Sequence, residues 1–355
     1  MAIEPLLASR AQKAFIGTIS IQGIVVLVMI AVTFRMVDNE VNLTAGYKTL
    51  PCYLALFALG EIFELLMAFD ALRLRNVIQL VGILMFHLCM MVFAAIQVRQ
   101  TKTSLVTMSD SECSASFNST NCDGDGSLWN RIEPLLIVAP VVIGVSWLLI
   151  LFYVKQLYEE FGWAIFHIVG ANPKMKSMYQ WYQIMICLLK FDFFFFTGVT
   201  MQLLILVLST ESAEFGVTIA AIPIVLTLLA LCGFAVQREI KWIMSVSLVL
   251  MLAAESYFIY KLVRFYQPSS RDLYSTTRAT LTTFTIVAFL LLFATFAVGL
   301  RCFADFDRGL QDSKVNGQYT PVATKMDILN GKGTLNQKQS SYLGGSAMQQ
   351  RISIE

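Results

Sequence analysis

Apolar residues gather in eight stretches, each long enough to cross about 30 Å of hydrocarbon at about 1.5 Å per helical residue. They lie near 14–34, 49–69, 77–97, 134–154, 183–208, 216–236, 242–263 and 280–300. Backbone groups in lipid have to be satisfied within their own segment, so the pattern predicts helices and an all-α, polytopic transmembrane helical bundle. Two places leave seven spans open. The second stretch carries Glu61 and Glu64, and only the polar break QREIK at 237–241 parts the sixth from the seventh.

The polar segments complete the layout: a cytosolic N-terminus at 1–13, a bundle over 14–303 with loops at 98–133 and 155–182, and a tail at 304–355. The apolar run after residue 13 is about 21 residues, longer than the roughly 7–15 of a cleavable signal, so it is expected to stay in the membrane. In the second loop, YEEFGWAIFHIVG places Phe161, Ile165, Phe166 and Ile168 as one face of a short amphipathic helix lying on the membrane. Gly170 would end it, and Asn172-Pro173 would open the next helix before the bilayer is reached. The tail is rich in Gly, Ser, Gln, Asn and Lys and has no helical period, which predicts disorder.

Composition agrees with lipid as the main solvent. The chain is 57% hydrophobic and 14% charged with mean hydropathy +0.66, against about 45–50% and about 25% for a soluble domain. A net charge of +2 without a basic run gives no support for nucleic acid as a partner.

An even number of spans puts both termini on one side. With the N-terminus cytosolic, eleven Lys and Arg fall at cytosolic ends and nine opposite, a small positive-inside excess. The loop at 98–133 adds a second indication. Cys113 and Cys122 flank the sequon Asn118-Ser119-Thr120, a combination that suits a disulfide and a glycan on an oxidising, lumenal side. Asn42-Leu43-Thr44 is a second sequon, in a loop short enough to make modification of Asn42 the weaker expectation. Cys89, Cys187 and Cys232 fall in spans as packing residues, Cys52 at a span edge. Cys302, just past the last span, is a candidate for palmitoylation. In the tail, Tyr319-Thr320-Pro321-Val322 has the tyrosine-plus-apolar form read by trafficking adaptors.

Soluble catalytic chemistry is poorly represented. Two histidines and no CxxC pair make a metal centre implausible. There is no nucleophile elbow, HExxH or dinucleotide fingerprint. DGDGS at 123–127 lacks the closing Glu of a calcium loop, and DILNGKGTLN lacks the spacing of a phosphate loop. The expectation is a non-enzyme without cofactors.

Polar groups inside the spans are the remaining candidates: Glu61, Glu64, His87, Lys190, Asp192 and Glu255. A charge at a helix centre costs roughly 2.5–3.5 kcal/mol on insertion scales, so such residues usually face a bundle interior or a cavity. Glu61 and Glu64 share a helix face. Lys190 and Asp192 are two apart and point to opposite sides, so they cannot pair with each other. By depth, Lys190 matches Glu64, the preferred pair. Asp192 would face another helix or water, making the fifth helix central. The alternative places both Lys190 and Asp192 among headgroups.

Two blocks carry a resemblance. GANPKMKSMYQWYQIMICLLKFDFFFFTGVTMQ (170–202) and STTRATLTTFTIVAFLLLFATFAVGLRCFADFDRGL (275–310), with KLVRFYQP (261–268) between them, resemble an uncharacterised fungal family of multi-pass Golgi apparatus membrane proteins. In the second block Arg301, Phe306, Gly309 and Leu310 match the exit from the last span. The resemblance implies a Golgi membrane location and fungal origin, and brings no activity, substrate or site residue. The resulting expectation is a non-enzymatic component of Golgi or neighbouring endomembranes, with a trafficking or membrane-organising role. The alternative is a secondary transporter, proton-coupled through the intramembrane Glu, Lys and Asp residues. Helix count and the short N-terminus disfavour a seven-helix receptor.

Overall fold

The computed structural model of the chain describes residues 7, 9–40, 49–106, 127–169, 173–206, 213–267 and 278–308. These form eight helices: α1 (Arg10–Glu40), α2 (Thr49–Leu74), α3 (Val77–Val106), α4 (Leu128–Val169), α5 (Pro173–Leu206), α6 (Ala213–Arg238), α7 (Lys241–Tyr266) and α8 (Arg278–Ala304). All eight are long and apolar enough to span a membrane, and no strand occurs among the described residues. The eight-span, all-α reading holds, including the separation of the sixth and seventh spans at QREIK. Asn42, Cys113, Asn118, Cys122 and the tail segment 319–322 lie outside the described residues.

The helices close into two rings of four. In the first, α1 packs on α2, α2 on α3, α3 on α4 and α4 back on α1; in the second, α5 to α8 repeat the same circuit. Each ring has its own apolar core, centred on residues such as Phe15, Phe57, Leu80 and Ile143 in the first and Met185, Met244, Phe265 and Leu281 in the second.

The junction belongs to α5, which also touches α2, α3 and α4. From Trp181 to Ile205 no α5 residue is exposed, whereas the other seven helices all present large apolar side chains outward, from Ile21 on α1 to Leu300 on α8. Lipid is the solvent that such a surface requires. The phenylalanine run explains the central position. Phe191 and Phe194 of α5 mesh with Phe63 of α2 and Phe86 of α3 at ring separations of 4.7–5.8 Å, while Phe195 reaches Phe284 of α8 at 5.8 Å. Aromatic pairs of this kind contribute about 0.5–1.5 kcal/mol each beyond their area. Gly82 lets α3 approach: a Cβ there would lie 3.0 Å from the Phe191 ring and 3.2 Å from Cys187 Sγ. Small residues at helix crossings serve the same purpose throughout membrane bundles.

The two rings also share a turn. At α2–α3, Arg75 takes φ 48° and the Asn76 amide donates to the Ala71 carbonyl at 3.1 Å. At α6–α7, Glu239 takes φ 57° and the Ile240 amide donates to the Ala235 carbonyl at 2.9 Å. Both are left-handed helix terminations closed by a six-to-one hydrogen bond, followed at once by the next helix. These turns lie at one end of the bundle with the start of α1, the end of α4, the start of α5 and the exit of α8. We call this the turn face.

One expected element is different. No separate surface helix follows the fourth span, because α4 runs unbroken to Val169. Ile150, Val154, Leu157 and Phe161 keep one stripe buried in the first core, and Gln12 of α1 hydrogen-bonds Glu160. The apolar period read as a membrane-surface face is, as far as Phe161, a continuation of the α4 core stripe. Pro173 opens α5, as its place after Asn172 suggested.

Candidate functional site

The six intramembrane candidates do not assemble into one network. The structure divides them among three places: Glu61, Glu64 and His87 within electrostatic range of one another in the first ring, Lys190 at the junction, and Asp192 with Glu255 in the second ring.

In the first ring, His87 of α3 sits between α2 and α4. Its Nε2 donates to the Ile143 carbonyl at 3.0 Å, and Nδ1 contacts Glu64. Donation by Nε2 fixes that proton, so one further proton is shared between Nδ1 and Glu64. Imidazolium with carboxylate or imidazole with carboxylic acid leaves the pair net neutral. Ser146 Oγ adds a contact to Nε2 at 3.2 Å. Both side chains are sealed, His87 at 0% and Glu64 at 1% exposure. Neutrality is what allows this pair to stay buried.

Glu61, one turn from Glu64, faces α1 instead. Gln22 Nε2 donates to its Oε2 at 2.5 Å. This cross-helix amide was not singled out in the sequence, although a lone Gln in an apolar span is a signal of its kind.

Lys190 corrects the expected pairing. Its partner is Asp70 rather than Glu64, and its ammonium also donates to Gln79 Oε1 at 2.9 Å. Gln79 in turn donates to Asp70 at 3.1 Å and to the Met67 carbonyl at 2.9 Å. Asp70 lies one turn from the end of α2 and Gln79 in the first turn of α3, so the cluster ties α5 to the α2–α3 turn. Lys190 and Asp70 side chains are 27% and 33% exposed, a position at the rim of the apolar zone. Asp70 escaped notice because it fell one residue beyond the expected second span.

Asp192 turns the other way, into the second ring. Thr295 of α8 places its hydroxyl 2.5 Å from Asp192 Oδ2 and 2.9 Å from the Leu291 carbonyl. A hydroxyl has one hydrogen, so it serves one acceptor at a time. Asp192 Oδ1 has no hydrogen-bond partner among the described residues, with the residue 6% exposed. Glu255 of α7 is 7% exposed, lacks a hydrogen-bond partner for either carboxylate oxygen, and lies within electrostatic range of Asp192. The headgroup alternative therefore fits Lys190 in part and Asp192 not at all. The opposed directions of these two residues hold α5 between polar neighbours on two sides.

A cavity adjoins Asp192 between α5, α6, α7 and α8, with about 110 Å³ of room for water-sized molecules. Its walls are mostly apolar, with Asp192, Ser247, Cys232 and Tyr257 the lining residues that carry polar side-chain groups. A second, shallower groove of about 370 Å³ lies between α2, α5 and α6 beside Lys190 and Asp70.

At the turn face the exit of α8 is latched to the α6–α7 turn. Glu239 Oε2 accepts the Asp307 amide at 2.8 Å, Lys241 pairs with Asp307, and buried Asp305 pairs with Arg308 at 3.0 Å. Cys302, the candidate for palmitoylation, is buried at 5% exposure in the second core. Cys52, Cys187 and Cys232 are buried packing residues, while Cys89 is exposed on the outer surface of α3. Among the described residues no group of three or more His, Cys, Asp and Glu side chains could hold a metal ion.

No protein-family profile matches the chain, and no solved structure does. A curated relative does: the chain is 28% identical over 290 residues to a UPF0658 Golgi apparatus membrane protein of Schizosaccharomyces pombe, covering 79% of this chain and 82% of that one. A match of that length takes in far more than the two blocks at 170–202 and 275–310 that first carried the resemblance. The chain is thus similar along most of its length to a Golgi apparatus membrane protein of an uncharacterised fungal family, and its eight long apolar helices fit the multi-pass membrane location that this likeness indicates.

Proposed function

We propose that the chain is a non-enzymatic component of the Golgi membrane that acts as a trafficking or membrane-organising factor. The observation supporting this is the separation of its buried polar groups. His87–Glu64, Gln22–Glu61, Lys190–Asp70–Gln79 and Asp192–Thr295 each clasp neighbouring helices, an arrangement suited to holding a fixed scaffold. In this reading the turn face is cytosolic, as the charge excess and the Cys113–Cys122 loop with its sequon suggest. The tail then follows α8 on the side where adaptors are found.

The test is deletion of the gene, followed by the distribution of Golgi-resident enzymes and the glycoforms of secreted cargo. The expected result is altered distribution or glycoforms, restored by the wild-type chain and equally by Glu255→Gln. Unchanged residents and cargo would overturn the reading.

Secondary transport is the second reading, favoured by the unpartnered carboxylates of Asp192 and Glu255. It requires that the purified protein in liposomes dissipate a pH gradient, and that Asp192→Asn or Glu255→Gln abolish this.

A further inference from the structure

The cavity beside Asp192 has a shape and polarity that none of the helix clasps needs. We propose that it is a binding site for a single-chain amphiphile with a primary ammonium head, the alkyl chain lying along α6 and α7 and the ammonium meeting Asp192.

Charge supplies the first argument. Asp192 is buried, lines the cavity, and leaves Oδ1 without a hydrogen-bond partner among the described residues. Glu255 adds a second unpartnered carboxylate close by. No Lys or Arg lines the cavity, and the nearest in sequence, Lys190, is committed to Asp70 and Gln79. Buried carboxylates are ordinarily paired with a cation or with donors. What is missing here is a donor, preferably a charged one.

The walls supply the second. Apart from Asp192, Ser247, Cys232 and Tyr257 the lining is apolar, which does not suit a hydrated metal ion. It suits a hydrocarbon chain attached to a small head. Along α7 the lining runs from Ser247 to Phe258, about 16 Å at 1.5 Å per residue. The enclosed room of about 110 Å³ takes the head and its first methylenes, and the rest of the chain lies in the opening toward lipid. Leu228, Leu250 and Tyr257 belong both to the lining and to the outward surface. The cavity therefore opens sideways toward lipid, between α6 and α7, the ring neighbours with the least mutual contact. A ligand could enter from the bilayer without crossing water.

The experiment uses the full-length protein in lipid nanodiscs with photoactivatable, clickable sphingosine as the probe. Covalent labelling is expected on peptides of α6 and α7. It should be competed by unlabelled sphingosine and not by a fatty alcohol of equal chain length. Asp192→Asn should lower labelling about tenfold, the loss expected for one charge-assisted hydrogen bond. Ala254→Trp, which fills the cavity without touching the carboxylate, should lower it as much; Glu61→Gln, in the other ring, should leave it unchanged. Competition by the alcohol as effective as by the amine would overturn the proposal, as would labelling that maps outside α6 and α7. Labelling that survives Ala254→Trp would overturn it even if Asp192→Asn fails to fold. These outcomes are independent of the trafficking assay.

Discussion

The two rings have the same circuit of helix contacts and the same kind of central turn, yet they treat buried polarity in different ways. In the first ring each buried carboxylate keeps one side-chain partner. Glu64 meets His87, which also reaches Ile143 and Ser146, and Glu61 meets Gln22, while Glu64 Oε2 and Glu61 Oε1 have no partner among the described residues. In the second, Asp192 has one hydroxyl and Glu255 no hydrogen-bond partner, and the cavity beside Asp192 holds about 110 Å³ against about 10 Å³ in a first-ring pocket between α1, α2, α3 and α4. The turns differ in the same sense. Asn76 caps α3 through its side chain, accepting the Gln79 amide at 3.1 Å, whereas Ile240 offers α7 no side-chain cap. Glu239 instead holds the exit of α8. One architecture thus gives a tighter ring and a roomier one.

This comparison can be broken most forcefully at His87. Glu64→Leu leaves the imidazole buried without its partner, and loss of one member of such a pair costs about 3–5 kcal/mol. The expected outcome is a large fall in the thermal midpoint of the purified protein, or failure to yield a monodisperse species. A midpoint within a degree of wild type would show that the first ring does not depend on this clasp.

The junction is the next largest effect. Gly82→Leu forces a side chain toward Phe191 and Cys187, and overpacking of this kind costs about 1–3 kcal/mol. Thermal unfolding should show the loss, and trimming the opposing ring with Phe191→Leu in the same chain should recover part of it. No recovery would place the strain elsewhere.

Lys190 sharpens the boundary between the rings. A double-mutant cycle with Lys190→Met and Asp70→Asn should give a small coupling, at most about 1 kcal/mol for a partly exposed pair. The cycle of Lys190→Met with Glu64→Gln should give none, since Glu64 is engaged by His87. A larger coupling to Glu64 than to Asp70 would restore the pairing expected from depth alone.

Depth along a span is one coordinate, and the limits of the sequence reading follow from that. Eight helices were legible because about 20 apolar residues in a row have few other uses. The central place of α5 was legible only on the condition that Lys190 and Asp192 are both buried, since the two cannot point the same way. Which helix each faces depends on rotation and on neighbours, and neither leaves a mark in hydropathy. Hence Asp70, Gln79, Gln22, Ser146 and Thr295 went unnoticed: four are neutral, and the fifth lay just outside a predicted span. The extension of α4 was misread for a related reason, since a stripe packed on α1 has the same period as one laid on lipid. The ring circuit and the cavity are tertiary facts, with no counterpart in any local pattern.

The smallest effect carries the most direct test. Replacing Glu255 with Met removes a buried carboxylate that has no hydrogen-bond partner, and such replacements are neutral or stabilising. Measured side by side in the same nanodiscs, the thermal midpoints of Glu64→Leu and Glu255→Met are predicted to move apart, the first well below wild type and the second at or above it. If both fall together, Glu255 holds its ring as Glu64 holds the first, and the distinction between a ring clasped by its carboxylate and a ring that does not depend on its own is contradicted.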